Sequence, residues 1–176
     1  MDLSSLYKAF DNNPILFIVV VIVCVSLFLI LIKLFFKRLK RKFKINKYKN
    51  YDFSKIDYMD GVEFENLIDA KFQKMGYKTR LTKATKDYGV DLIAIKNKKS
   101  IAIQIKRYNR NVGVKAIQEV IAAKAFYKTD TAMVLTNSYF TKPAKNLAKE
   151  TNVILIDRSK LAKILWYNYI KYIKGV

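Results

Sequence analysis

From Ile15 to Ile32 the chain reads ILFIVVVIVCVSLFLILI, eighteen residues without a charge, and apolar residues resume past Lys33 at Leu34, Phe35 and Phe36. At 1.5 Å per residue, about twenty such residues cross a hydrocarbon layer roughly 30 Å thick. A cleaved signal peptide begins with a positive n-region and ends in small residues. Here the basic residues follow the apolar run and no A-x-A site is present. The reading is one retained transmembrane helix over 15–36, preceded by a short extracytoplasmic N-terminus, 1–14. Immediately after it comes KRLKRKFKINKYK, whereas the preceding flank is nearly neutral. The positive-inside rule then places the N-terminus outside and the bulk of the chain in the cytoplasm, at the cell (inner) membrane.

Charge narrows the partners. The formal net charge is +20; Lys33–Lys49 holds nine basic residues and no acidic one, and the residues before it sum to −1, so the stretch from Asn50 onward keeps +12. The basic tail attracts anionic lipid headgroups, although its role as a topology signal is sufficient by itself. The folded part is basic in its own right, which suits a polyanion such as nucleic acid. The one cysteine, Cys24, lies in the apolar run, so no disulfide forms within the chain. There is no histidine, which excludes His-ligated zinc, His-dependent nucleases and Ser-His-Asp chemistry. Carboxylates, amides, hydroxyls and lysines are what remain.

A basic juxtamembrane linker occupies 37–57 and a soluble domain 58–176. In DGVEFENLIDAKFQKMG, Phe64, Leu67, Ile68, Phe72 and Met75 recur at mostly helical spacing. Asp60 suits the N-cap with Glu63 three residues on, and Gly76 the stop. YKTRLT, GVDLIAI and SIAIQIKRY read as strands, the last two joined by the lysine-rich turn KNKKS. VKAIQEVIAAKAFY reads as a helix, TAMVLTNS as a strand, TKPAKNLAKET as a short helix with Pro143 in its first turn, and NVILID as a strand. SKLAKILWYNYIKYI closes the chain as a helix whose aromatic residues serve packing or the membrane surface. The order predicts one α/β domain around a central mixed sheet flanked by helices. With five glycines and no G-x-G spacing, nucleotide-binding loops are absent.

Strand SIAIQIKRY carries the chemistry. Its period of two puts Ile101, Ile103 and Ile105 on one side and Gln104, Lys106 and Tyr108 on the other. An amide and an ammonium on such a strand carry a desolvation cost that requires partners. A hairpin brings Asp91, which opens the preceding strand, alongside Gln104 and Lys106. Oxygen ligands for a hard cation and a positive charge for a phosphate then converge. A structural ion pair between Asp91 and Lys106, with Gln104 an incidental neighbour, is the alternative account.

Over about Gly61–Leu161 the sequence resembles the catalytic domain of the Mrr family of type IV restriction endonucleases, of the PD-(D/E)xK superfamily. The resemblance rests on co-linear pieces: Phe64-Glu65 in the first helix, D-x-G-x-D at Asp87, Gly89 and Asp91, and Q-x-K at Gln104 and Lys106. It continues with Val112-Gly113 before a helix and T-N-S-x-F-T from Thr136 to Thr141. It implies a restriction-endonuclease-like core and a DNA endonuclease using Mg2+, with Mn2+ as substitute. In that comparison Asp91 matches the metal-binding aspartate, and Gln104 stands at the D/E place, where it brings an amide oxygen but no charge. Lys106 matches the lysine that orients water and stabilises the phosphate, and Glu65 matches the helix carboxylate that completes the metal site. Asp87 has a supporting role.

Arg107, Arg110 and Lys115 follow the motif strand and are candidates for the DNA backbone. Thr141 reads as an N-cap, with Thr136 and Ser138 structural before they are phosphate contacts. The expected partners are DNA, membrane lipid through the helix and tail, and a second copy in a homodimer. Two rivals remain: a membrane-tethered DNA-binding module with an inactive site, kept open by the neutral Gln104, and an adaptor on a borrowed fold. The family's separate DNA-recognition domain does not fit within these residues, which leaves modification-dependent restriction in doubt.

Overall fold

The computed structural model describes residues 14–48, 53–82 and 89–166. The chain divides into two compact units, Met1–Phe43 and Lys44–Val176. The apolar run lies in the first, on helix α1, Pro14–Lys47, whose last residues from Lys44 belong to the second; the side chains of the run are exposed. By length and composition it is long and apolar enough to cross a membrane. It continues past Phe36 through the basic stretch without a break, because KRLKRKFKINK holds good helix formers and neither Gly nor Pro. At 34 residues it is about 50 Å long, well beyond the run of apolar residues.

The second unit is an α/β domain. After a 3-10 turn at Phe53–Tyr58 comes α2, Gly61–Lys74. Asp60 caps its N-terminus by accepting from the Glu63 amide at 2.7 Å, and Gly76, at φ +90°, takes the chain out of it, both as the sequence predicts. Three antiparallel strands follow: β1, Lys78–Leu81, β2, Leu92–Lys96, and β3, Lys99–Lys106. Helix α3, Val114–Tyr127, crosses over to β4, Thr131–Thr136, which lies parallel to β3. Helix α4, Lys142–Glu150, leads to β5, Ile154–Ile156, parallel to β4, and α5, Arg158–Trp166, follows. The remainder of the predicted closing helix, with its aromatic residues, lies outside the described residues. The sheet is mixed, in the order β1-β2-β3-β4-β5.

Alternation along the strands creates two cores. Leu92, Ala94, Ile101, Ile103 and Ile105 pack with Phe64, Leu67, Ile68 and Phe72 of α2. On the other face, Ile93, Ala102 and Val134 pack with Ala116, Ile117, Val120 and Ala123 of α3 and with α4. With both faces covered, β3 and β4 are buried along most of their length, as parallel pairing between helices requires. Asp69, a buried acid on α2, accepts hydrogen bonds from Gln73 and Thr79 and pairs with Lys44.

Candidate active site

The β2–β3 hairpin places the site. Asn97 and Lys98 both adopt positive φ, 51° and 64°, in the two-residue turn, whose twist matches that of the strands. The resulting register pairs Leu92 with Ile103, and the Asp91 amide donates to the Ile103 carbonyl at 3.0 Å. The Asp91 carboxylate therefore sits just before the start of β2, beside Gln104 near the C-terminal end of β3. Its Oδ2 accepts from Gln104 Nε2 at 2.7 Å and from the Ile105 amide at 2.6 Å. Gln104 is 3% exposed, and its Oε1 has no hydrogen-bond partner among the described residues. Gln104 and Lys106 share strand parity with Ala102, so both lie on the α3 face of the sheet.

Lys106 does not make the structural pair with Asp91 that the sequence left open. Its Nζ lies 3.1 Å from Oε2 of Glu119 on α3, with side-chain exposures of 21% and 28%. The physical reason is the crossover. Helix α3 packs directly over β3 and β4, and Glu119 falls beside Ile117 and Val120, the residues that seat the helix. Sequence reasoning missed Glu119. Its signal was indirect: a lysine on an apolar sheet face requires an anion, and the helix covering that face is the nearest place to look. Gly89 is part of the same contact. At φ +79°, a Cβ there would lie 2.7 Å from Glu119 Cβ and 3.1 Å from its Cα and carbonyl oxygen. Only glycine allows α3 so close to the segment that leads into Asp91.

The other sequence candidates are less concentrated. Glu65 is half-buried on α2, the helix covering the opposite face of the sheet from Gln104, Lys106 and Glu119. Asp87 lies outside the described residues. Arg107 turns inward and donates to the Asp57 carbonyl of the 3-10 turn, whereas Arg110 and Lys115 are exposed. Thr136 is fully buried and accepts from the Ser138 amide at 3.1 Å, and Thr141 caps α4 through the Ala144 amide at 3.3 Å. These last three are turn and cap residues, as the sequence predicts.

A polar cluster that the sequence did not single out closes the C-terminal ends of β3 and β4. Arg158 holds Asp57 in a two-bond fork, at 2.8 and 2.7 Å, and also donates to the Asn137 carbonyl at 2.9 Å. Asn137 donates to Asp57 at 3.0 Å and accepts from the Tyr108 amide at 2.8 Å. The Arg158 hydrogen bond, with smaller help from Asn137, holds the Asp57 carboxyl below its ordinary range against the opposing effect of burial.

Among the described residues no three acidic, histidine or cysteine side chains cluster as a ready-made metal cage. Among the described residues, what the site offers a hard cation is the Asp91 carboxylate and one buried amide oxygen, Gln104 Oε1, without a hydrogen bond, the Glu119 carboxylate being paired with Lys106. This sparse oxygen set fits a hard divalent cation that keeps several waters of its own.

Residues 56–165, well over half of the chain, match the family model Mrr_cat, described as "Restriction endonuclease". The chain belongs to this family. Among solved structures, this restriction-endonuclease family member is similar to AF1548, a protein of unknown function. The match has 18% identity and a TM-score of 0.50, covering 57% of this chain and 62% of the other. It is also similar to AspBHI, a DNA modification-dependent restriction endonuclease. Here identity is 21% and the TM-score 0.50, covering 69% of this chain but only 35% of AspBHI. At these identities the likeness establishes a shared fold. No curated protein matches the chain.

Proposed function

We propose that this protein is a membrane-anchored DNA endonuclease that hydrolyses phosphodiester bonds with Mg2+ at a site built from Asp91, Gln104 and Lys106. The observation that carries the reading is their convergence: a carboxylate, an unsatisfied buried amide oxygen and an ammonium brought to one face of a hairpin. Membership of the restriction endonuclease family and the +12 carried from Asn50 onward support the same chemistry and a polyanionic substrate.

Asp91 and Gln104 would hold the metal; Glu65, which the family resemblance offers as a third ligand, lies on the helix over the opposite face of the sheet. Bound there, Mg2+ supplies a Lewis acid and an activated water. The chain does the rest. Lys106 stabilises the charge that grows on the phosphate and orients the attacking water, an electrostatic role for a preorganised ammonium. Asp91 keeps its carboxylate aimed through the Ile105 amide. Arg110 and Lys115, exposed next to this strand, serve as backbone contacts that add affinity without reading sequence. Helix α1 anchors the protein, and the basic residues after its apolar run favour a cytoplasmic nuclease domain.

Binding without cleavage is the second reading, favoured by the neutral Gln104. The full-length protein in detergent, assayed on supercoiled, linear, methylated and single-stranded DNA with Mg2+, Mn2+ or EDTA, separates the two. Metal-dependent nicking that disappears in Asp91→Ala and Lys106→Ala, with DNA affinity largely kept, is the expected result. Salt-sensitive binding with no product on any substrate overturns the nuclease in favour of the tethered module.

A further inference from the structure

Among the described residues, Glu119 is the one acidic side chain paired with Lys106, and nothing in the sequence motif points to it. Its Oε2 is enclosed and makes no hydrogen bond among the described residues; what faces it is the Lys106 ammonium at 3.1 Å. Paired charges that have lost water stabilise a fold weakly, since desolvation offsets most of their attraction. What such a pair can supply instead is a fixed position for the two charged groups. Glu119 also reaches the site through its main chain. Its Cα and carbonyl oxygen occupy the space a side chain at Gly89 would need, two residues before Asp91. One residue of α3 therefore touches both halves of the site: the ammonium on β3 and the segment delivering the carboxylate on β2.

We infer that Glu119 is a positioning residue, which holds Lys106 in place and fixes its separation from Asp91. The inference rests on the nuclease reading above. Long lysine side chains have several rotatable bonds, and an ammonium with no fixed anion samples many positions in the site. Because Glu119 acts through Lys106, its loss lowers the rate of the chemical step without weakening DNA binding.

The test compares the full-length protein with Glu119→Gln, Glu119→Asp and Glu119→Ala on supercoiled DNA with Mg2+, measuring kcat and KM separately and the thermal midpoint of each variant. Glu119→Gln keeps shape and packing but removes the charge, so it remains informative if Glu119→Ala folds poorly. The expected result is a normally folded Glu119→Gln with kcat lowered about 10- to 100-fold, the scale at which supporting residues act, and KM within about twofold of the parent. Glu119→Asp, which restores the charge on a shorter stem, should recover part of the rate. A Glu119→Gln that cuts at the parent kcat, or one that changes KM alone, overturns the inference while leaving the nuclease standing. A parent that cuts no DNA sinks both together.

Discussion

Gly89→Ala is the sharpest perturbation of this site that adds no charge and removes no functional group. Two costs combine. Residue 89 sits at φ +79°, where an L-residue is disfavoured by about 1–2 kcal/mol. The new Cβ would also lie 2.7 Å from Glu119 Cβ and 3.1 Å from two main-chain atoms of α3, closer than packed carbons tolerate. Helix backbone yields less readily than a side-chain tip, so overpacking adds about 1–3 kcal/mol. The total, about 3 kcal/mol, is a large part of the roughly 5–15 kcal/mol that holds a domain together. It corresponds to a drop of about 10 °C in Tm. Gly61→Ala is the control: nothing lies within 4 Å of its Cβ and it opens a helix, so it should be neutral or stabilising by about 0.5–1 kcal/mol. Thermal and urea unfolding of the detergent-solubilised protein measure both. Moving α3 away from Gly89 shifts Glu119 and Lys106 relative to Asp91, so DNA cleavage at a temperature where the variant is folded should fall as well. A Gly89→Ala protein with the parent's unfolding midpoint and cleavage rate would refute the close-approach argument.

Two further outcomes follow from the same contacts. Gln104→Glu replaces the amide donor to Asp91 with a second carboxylate, so in EDTA the variant should be less stable than the parent by about 1–3 kcal/mol. Millimolar Mg2+ should then raise its Tm more than the parent's, and an identical response of the two proteins would argue against a metal between these side chains. For Asp57→Asn, the sign follows from the depressed carboxyl: its stabilisation is fully present above about pH 4, the ordinary carboxylate range, and disappears as pH falls through the lowered value. Because the Asp57 side chain is 40% exposed, the loss at pH 7 should be only about 1 kcal/mol, and parent and variant should converge in urea unfolding as pH falls through that lowered value.

Much of this molecule is local, and local features are legible in a sequence. The apolar run of α1, the Asp60 and Thr141 caps, the Gly76 stop and the period-two strands each follow from interactions within a few residues. The hairpin that sets Asp91 beside Gln104 was legible for the same reason, since a short turn and antiparallel register leave little freedom. That Lys106 requires a partner was equally readable, because an ammonium in an isoleucine-rich strand carries a desolvation cost. Who that partner is, sequence alone could not decide. Glu119 reaches Lys106 because β3 and β4 pair in parallel and the helix connecting them crosses their face. Likewise, Arg107 turned away from solvent toward Asp57, and Arg158 met Asp57 across a sequence separation of 101, because the ends of β3 and β4 gather behind the 3-10 turn. Such contacts depend on how whole elements stack. The side chain's own neighbours carry no trace of that stacking, so only the tertiary structure could assign them.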